Sequence, residues 1–195
     1  VQLRIRTASR VIVRLASFKA TAFHELERAA RQVPWSSVLG PATTFTLRVT
    51  CKKSRLYHSD AVAERVAAAI VRGVPGAVGA GKAPDDEDPL VESTDTAQLF
   101  VVRFDHDRCT ISADASGELL HRRGYRQAVA RAPMRETLAA ALVMSSGWDP
   151  RSALLDPFCG SGTIPIEAAL IARRIAPGLA RTFAAERWPV TPAGV

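Results

Sequence analysis

The stretch "LLDPFCGSGTIPIEAALIA", residues 154–172, decides the fold of the C-terminal part of this chain of 195 residues. Its first residues are apolar without alternation, which is typical of a strand buried in a parallel sheet, and an aspartate ends the run. Gly160 and Gly162 then permit a sharp turn, because glycine has no Cβ. An apolar helical pattern resumes at once. We therefore predict a strand over 152–156, a glycine turn and a helix over 163–175, with a ligand site where the strand ends.

Three kinds of ligand use such a turn, and the residues distinguish them. A P-loop requires Gly-Lys-Ser/Thr, whereas Gly162 is followed here by Thr163. A dinucleotide fingerprint requires a third glycine, and Pro165 stands in its place. Asp156 is unfavourable beside a pyrophosphate and favourable beside a cation. S-adenosylmethionine carries a sulfonium and an ammonium group and no phosphate, so it matches the turn best. The alternative is a plain strand–turn–helix. We interpret Cys159 as a small turn residue, because no histidine stands at an informative spacing.

The charge of the chain is uneven. The formal net charge is +7, but residues 1–75 carry 13 Lys/Arg and 4 Asp/Glu, a charge of +9, while the remaining residues carry −2. A basic N-terminal part beside a near-neutral remainder indicates either a polyanionic partner or a solvated basic face.

The cysteines and the hydropathy pattern bear on the compartment. The three cysteines show no metal-ligand spacing, so we expect no metal site and a reducing environment. No apolar run is long enough to span a bilayer, and no signal-peptide pattern opens the chain. The predicted compartment is the cytoplasm.

The rest of the chain alternates between strand and helix patterns and changes character near residues 127–131. The N-terminal side is an α+β region, and the C-terminal side begins an α/β sheet. The helix predicted over 59–74 has a buried stripe formed by Val62, Val66, Ala69 and Ile70. We expect strands at 3–6, 10–15 and 43–53, a strand–turn–strand over 97–116, helices at 21–33, 59–74 and 132–147, and a surface loop at 75–89.

Several blocks of the chain together resemble one family. The stretch 154–172 resembles the first cofactor motif of class I S-adenosylmethionine-dependent methyltransferases, in the form found in RNA guanine-N2 methyltransferases. Four other blocks, in the expected order, are similar to bacterial 23S (large-subunit) ribosomal RNA guanine-N2 methyltransferases. They are "RTASRVIVRLASFKA" (6–20), "FTLRVTCKKSRLYHSDAVAERVAAAI" (45–70), "LHRRGYRQAVARAPMRETLAAALVMSSGW" (120–148) and "RTFAAERWP" (181–189).

This resemblance implies an α+β N-terminal region, ferredoxin-like over 1–45 and THUMP, an RNA-binding domain, over 46–127. Residues 128–195 would form the start of an α/β Rossmann-like methyltransferase domain, truncated after its first strand and helix. The implied function is S-adenosylmethionine-dependent methylation of RNA at guanine N2 of large-subunit ribosomal RNA. The alternative is a non-catalytic RNA-binding THUMP module or a truncated gene product.

The family's Asn/Asp-Pro-Pro-aromatic motif, which holds the exocyclic amine against the methyl donor, does not occur in this sequence. The acidic residue that follows the second strand and holds the ribose hydroxyls is also missing. We therefore expect no catalytic residue in this chain and no activity of the chain by itself.

The resemblance also implies site residues for the cofactor. The glycine turn would line the pocket for S-adenosylmethionine, and the helix opening with "PMRET" would border it. For the residues of that helix, ordinary helix-start chemistry facing water is the alternative. The candidates are Asp156, Cys159, Gly160, Gly162 and Thr163, with Arg135, Glu136 and Thr137 as the helix residues.

Two basic segments are candidates for contacting RNA. In "CKKSRLYHS" (51–59), cations could contact phosphates and a tyrosine could stack on a base, and a solvated loop is the alternative. In "HRRGYR" (121–126), the alternative is a set of salt bridges to the acidic residues at 85–88. The candidates are Lys52, Lys53, Arg55 and Tyr57 in the first segment and Arg122, Arg123 and Arg126 in the second.

Overall fold

The computed structural model describes residues 2–83, 97–125 and 134–191, and these divide into two compact units. The sheet unit comprises Ile12–Gly117 and Ala184–Val195. The helical unit comprises Val1–Val11 and Glu118–Phe183. The domain boundaries predicted above, and the ferredoxin-like character of residues 1–45, stay predictions.

A mixed five-stranded sheet forms the sheet unit, in the order β1-β5-β4-β2-β3. The edge strand β1 pairs antiparallel with β5, β5 pairs antiparallel with β4, and β2 lies parallel to both β4 and β3. The strands are β1 (Ile12–Lys19), β2 (Thr44–Lys52), β3 (Val78–Lys82), β4 (Gln98–Asp105) and β5 (Arg108–Asp114).

Two helices, α1 (Phe23–Ala30) and α2 (Ser59–Gly73), belong to the same unit. The predicted stripe of α2 is buried, with Val62, Val66 and Ile70 all 0% exposed, because residues at helical spacing share one face. Between α1 and β2, the ring of Trp35 packs edge-on against Phe100 of β4 at 5.3 Å, and its Nε1 donates a hydrogen bond to the Ala30 carbonyl. These contacts place the apolar core on one face of the sheet.

The predicted strand–turn–strand is the β4–β5 hairpin. His106 and Asp107 at its turn have φ values of 49° and 61°. Two consecutive residues with positive φ are typical of a two-residue type I′ turn, whose twist matches that of the strands it joins.

The helical unit contains α3 (Glu136–Ser145) and α4 (Thr163–Ala172), which pack against each other. Gly147, with φ of 69°, follows α3 in the left-handed conformation expected after a helix end. The first residues of the chain join this unit through backbone hydrogen bonds from Gly178 N to Leu3 O (3.0 Å) and from Leu120 N to Ser9 O (2.8 Å).

Three expectations about strands are wrong. Residues 3–6 do not form a strand, because Gln2–Arg4 is a 3₁₀ turn. The loop expected over 75–89 contains β3 in its described part, because the glycine-rich sequence "VGAGK" pairs with β2. Residues 152–156 are not paired with any strand in the described part of the chain. Leu155, which a parallel sheet would bury, is 90% exposed there, and the neighbouring Phe158 is 92% exposed.

The helix predicted over 21–33 begins two residues later, at Phe23, whereas the helix predicted over 59–74 begins at Ser59 as expected. The residue preceding α1 is Ala22, whose side chain has no oxygen that could cap the helix. The Glu25 carboxylate takes the place of a capping side chain at α1, because it accepts hydrogen bonds from Thr21 N (2.7 Å) and Ala22 N (3.3 Å).

Candidate functional site

The glycine turn of the helical unit is held by hydrogen bonds at both ends. Asp156 Oδ1 accepts a hydrogen bond from Phe158 N at 3.1 Å, and Gly162 N donates to Cys159 O at 2.8 Å. Gly160 and Gly162 have φ values of 53° and 76°, which L side chains rarely adopt. The turn therefore requires glycine for its backbone conformation.

The second carboxylate oxygen of Asp156 takes no part in these hydrogen bonds. This Oδ2 atom is shielded from solvent and accepts no hydrogen bond from any described residue. A shielded acceptor without a partner is unfavourable unless a ligand or a bound water supplies a donor. A Cβ built on Gly160 meets no atom within 4 Å, so the turn also borders open space. These two features fit a ligand that carries ammonium or hydroxyl donors.

The start of α4 adjoins this turn. Thr163, the first residue of the helix, is 4% exposed, and its Oγ1 lies 3.2 Å from the hydroxyl of Ser161. The amide groups of the first helical turn have no partner within the helix, although Pro165 contributes none. Cys159 is exposed, with its Sγ 3.9 Å from the Gly160 carbonyl.

Further along α4 lies a buried charged cluster that the sequence analysis missed. Glu167 is 0% exposed, its Oε2 lies 3.0 Å from Arg123 Nη1, and its Oε1 accepts a hydrogen bond from Tyr125 at 3.0 Å. Burial raises the pKa of Glu167, and the charge of Arg123 opposes this shift. Burial raises the pKa of Tyr125 as well, and the neighbouring Glu167 adds to that shift. A glutamate inside the apolar run "IPIEAALIA" was the available signal.

The cluster extends to the other end of α4 through Arg6. Its Nη2 donates to the carbonyls of Leu170 (3.3 Å) and Ile175 (2.6 Å), while its own carbonyl accepts a hydrogen bond from Arg123. A cation on the last carbonyls of a helix satisfies groups that have no partner within the helix. The helix that begins at the glycine turn is thus held at its middle and its end.

The placement of Arg123 corrects one expectation. Its side chain is 1% exposed and paired with Glu167, so it is not on a surface where RNA could contact it. Arg122 is partly exposed, and its Nη1 lies 3.6 Å from Glu118 Oε1. Arg126 and the 85–88 segment lie outside the described residues.

Arg135, Glu136 and Thr137 lie at the start of α3. Arg135 precedes the first helical turn, whereas Glu136 and Thr137 are each only 5% exposed. The latter two therefore do not face water, as ordinary helix-start chemistry would place them. Their role beside the cofactor stays a prediction.

The basic segment 51–59 lies in the sheet unit, at the end of β2. Its backbone is fixed by Asp107 of the hairpin turn. The Asp107 carboxylate accepts a hydrogen bond from Arg55 N (2.7 Å), and the backbone N–H of Asp107 donates one to Ser54 Oγ (3.0 Å). Tyr57 is 67% exposed, with its ring centroid 4.0 Å from that of His58. Lys52 and Lys53 are also exposed. The segment at the end of β2 therefore carries three cations and an exposed aromatic ring.

Both units match models of known domain families. A family model for the THUMP domain matches residues 20–114, and a model described as "RMKL-like, methyltransferase domain" matches residues 123–191. The chain therefore carries a THUMP domain and an RMKL-like methyltransferase domain. This confirms the resemblance to THUMP-containing class I methyltransferases, whereas methylation at guanine N2 stays a prediction.

Named relatives agree with this assignment. The chain is 41% identical to "Putative RNA methyltransferase YpsC" of Bacillus subtilis, over 95% of this chain and 47% of the relative. It is 39% identical to "Ribosomal RNA large subunit methyltransferase K/L" of Psychromonas ingrahamii, over 94% of this chain and 24% of the relative. The chain thus spans half or less of the length of these relatives.

Solved structures show the same fold as this THUMP and methyltransferase chain. A predicted N6-adenine-specific DNA methylase from Listeria monocytogenes matches with a TM-score of 0.82 and 37% identity, over 98% of this chain and 48% of that one. SMU.472, a putative methyltransferase complexed with SAH, matches with a TM-score of 0.79 and 30% identity, over 98% and 49%.

None of the helices in residues 2–83, 97–125 and 134–191 has the length and apolar character needed to cross a bilayer. In the same ranges, no three His, Cys, Asp or Glu side chains are grouped so that they could hold a metal ion.

Proposed function

We propose that the protein takes part in S-adenosylmethionine-dependent methylation of RNA, at guanine N2 of large-subunit ribosomal RNA, in the cytoplasm. The observation that carries the cofactor assignment is the shielded Oδ2 atom of Asp156, which has no donor among the described residues and lies beside a glycine turn. The methyltransferase relatives and the SAH complex of SMU.472 support the same ligand class.

When bound, S-adenosylmethionine supplies an electrophilic methyl group on a positively charged sulfur. In this chain, Asp156 would accept hydrogen bonds from donors of the ligand and favour its positive charge. Gly160 and Gly162 would let the backbone approach it closely. Thr163 and the first amides of α4 would present donors to its carboxylate, because helix N-termini favour anions. Cys159 would contribute to the wall of the pocket.

RNA would be held by the sheet unit, with Lys52, Lys53 and Arg55 on phosphates and Tyr57 stacked on a base. Arg122 and Arg126 stay candidates for a second contact. The name of the Psychromonas relative supports large-subunit ribosomal RNA as the substrate. Because the Asn/Asp-Pro-Pro-aromatic motif is missing from the sequence, we infer that these residues bind and position the reactants and that this chain by itself does not transfer methyl groups.

Calorimetric titration with S-adenosylmethionine tests the cofactor site. Asp156→Ala should weaken binding by about tenfold or more, since a charge-assisted hydrogen bond contributes about 1.5–3 kcal/mol. Asp149→Ala is the matched control, because Asp149 Oδ1 also accepts a backbone hydrogen bond two residues on (Arg151 N, 3.0 Å) but is exposed. If Asp156→Ala and the unmodified protein bind S-adenosylmethionine with equal affinity, the cofactor site does not lie at this turn.

A second test concerns the product. A longer protein that contains this chain and the Asn/Asp-Pro-Pro-aromatic motif should transfer labelled methyl groups to large-subunit ribosomal RNA, and nucleoside analysis should show N2-methylguanosine. A different methylated nucleoside would contradict the proposed specificity but not the methyltransferase assignment.

The other candidate function is that of a non-catalytic RNA-binding module. It is favoured by the sheet unit, which is compact by itself and contains the match to the THUMP model. RNA binding without any binding of S-adenosylmethionine would support this function over the first.

A further inference from the structure

The two faces of the five-stranded sheet differ in their side chains. The face that includes Phe100 is covered, since Trp35 packs against that ring and the β2 residue paired with it, Leu47, is 5% exposed. Successive residues of a strand point to opposite faces, so Val101 and Arg103 of β4 lie on the other face. The strand register shows which residues accompany them there.

Three rows of residues cross the second face from β1 through β5 and β4 to β2. Directly paired residues point to the same side of a sheet, so each row is a line of neighbouring side chains. The first row is Lys19, Arg108, Asp105 and Lys52; the second is Ser17, Thr110, Arg103 and Thr50; the third is Arg14, Ser112, Val101 and Arg48.

Five cations of these rows, which we call the basic face, are exposed: Arg14, Lys19, Lys52, Arg103 and Arg108. Among the residues that the structure describes, no carboxylate oxygen lies within 4.0 Å of their charged nitrogens. Asp105 is the one carboxylate in the three rows, and its Oδ1 lies 2.9 Å from His106 Nδ1. The basic face is therefore strongly positive.

The basic face continues into the 51–59 segment through Asp107. Its carbonyl accepts a hydrogen bond from Ala20 N, next to Lys19, at 2.9 Å. Its carboxylate accepts from Arg55 N at 2.7 Å, within the basic segment. One turn residue thus holds the end of β1 and the basic segment together.

We propose that the basic face is a docking surface for the phosphate backbone of structured RNA. This inference rests on the RNA-binding function proposed above. Beyond Lys52, it assigns four cations that the sequence did not single out: Arg14, Lys19, Arg103 and Arg108. Lys19 and Lys52 stand three strand spacings apart, about 14 Å, so the surface can reach more than one phosphate. The hydroxyls of Ser17, Thr50 and Thr110 add hydrogen-bond donors between the cations.

The chemistry of the face favours backbone recognition. Its three rows contain no aromatic side chain on which a base could stack, and cations with hydroxyls are the groups that contact phosphates. Contacts of this kind do not read base sequence. They suit an A-form RNA helix, because proteins recognise such a helix by its shape and backbone. The basic face would orient the RNA, and selectivity for the target would come from other contacts.

The test is binding of a fluorescent RNA hairpin to the full chain over a range of KCl concentrations. The variant Arg14→Gln/Arg103→Gln/Arg108→Gln should weaken binding at low salt by about tenfold or more. It should also reduce the slope of log Kd against log salt by about 2–3, one for each lost phosphate contact. Changing the stem sequence should leave the affinity of the unmodified chain nearly the same.

The matched control is Arg28→Gln/Arg31→Gln/Arg72→Gln, which removes the same charge from exposed positions at α1 and α2. It should retain most of the affinity, and an equal loss in both variants would overturn the basic face as a specific surface. Arg103→Glu gives a single-site check, and thermal melts of every variant should coincide with that of the unmodified chain.

Other outcomes separate this inference from the proposed function. If the unmodified chain binds the hairpin and the basic-face variant binds it equally well, this inference is wrong and the RNA-binding function stands. If the unmodified chain binds no RNA at any salt concentration, both fail. Binding to phosphatidylserine vesicles that equals RNA binding and is lost in the same variant would assign the surface to anionic lipid instead.

Discussion

Arg123 and Glu167 form an ion pair of 3.0 Å in which both side chains are buried. The two residues stand far apart in the sequence, and their pairing ties the segment before α3 to the middle of α4. Since α4 begins at the glycine turn, the pair helps to fix the helix from which the proposed cofactor site is built.

Arg123→Ala should reduce the free energy of unfolding by about 3–5 kcal/mol, because it leaves the buried Glu167 carboxylate without its ion-pair partner. Urea denaturation measures this change. Arg122→Ala is the control, since its pair with Glu118 is partly exposed and should contribute no more than about 1 kcal/mol. Similar losses in the two variants would show that the buried pair contributes no more to stability than the partly exposed pair.

The variant Gly160→Ala should distinguish the effect of backbone strain on stability from the effect of a Cβ on ligand binding. Gly160 and Gly147 both have positive φ, and a Cβ on either meets no atom within 4 Å, so both alanine variants should lose about 1–2 kcal/mol of stability. Only Gly160→Ala should weaken S-adenosylmethionine binding, by about tenfold or more, because only its Cβ would enter the proposed pocket. Unchanged cofactor affinity in Gly160→Ala would contradict the pocket.

Thiol labelling offers a check that needs no enzymatic activity. Cys159 is exposed, whereas Cys109 is buried, and burial raises the pKa of its thiol to about 12. Burial also raises the pKa of the Cys51 thiol. Ellman's reagent at mildly alkaline pH should therefore detect one fast thiol, because the thiolate is the reactive form. Cys159→Ser should abolish the fast phase.

S-adenosylmethionine should slow the same reaction, since the ligand would cover the glycine turn that contains Cys159. Labelling that stays equally fast at saturating ligand would place the ligand elsewhere.

The start of α1 should show a pH-dependent stability. Hydrogen bonds from Thr21 and Ala22 lower the pKa of Glu25, so its carboxylate stabilises the folded state above the unfolded pKa of this group. That contribution is lost as pH falls through the lowered folded pKa. Glu25→Gln should therefore melt at a lower temperature than the unmodified chain at pH 7, and the two should converge in acid. A constant difference across the pH range would contradict the assignment.

The sequence predicted best where one local pattern sufficed. The helical spacing of Val62, Val66 and Ile70 identified the buried side of α2, and the strand–turn–strand pattern over 97–116 identified the β4–β5 hairpin. β3 was missed because its glycines carry no side chains for an alternating pattern, and only pairing with β2 makes it a strand. The partnership of Glu167 with Arg123 and Tyr125 depends on segments distant in sequence, which no local pattern reveals.

The glycine turn also shows what a local sequence pattern can and cannot predict. Its residues were recognised because the motif is contiguous, and the structure adds which atom of Asp156 lacks a partner. The basic face was not recognised, because its cations are scattered over four strands and come together only through their register.

The exposure of Leu155 and Phe158 has a practical consequence for anyone who purifies this chain. Neighbouring bulky apolar side chains in open water favour self-association, and Leu138 and Leu142 of α3 are exposed as well. We expect the isolated polypeptide to form concentration-dependent aggregates that bind hydrophobic dyes. Replacing Leu155 and Phe158 with serine should raise its solubility, which would make the RNA-binding measurements feasible at higher concentration.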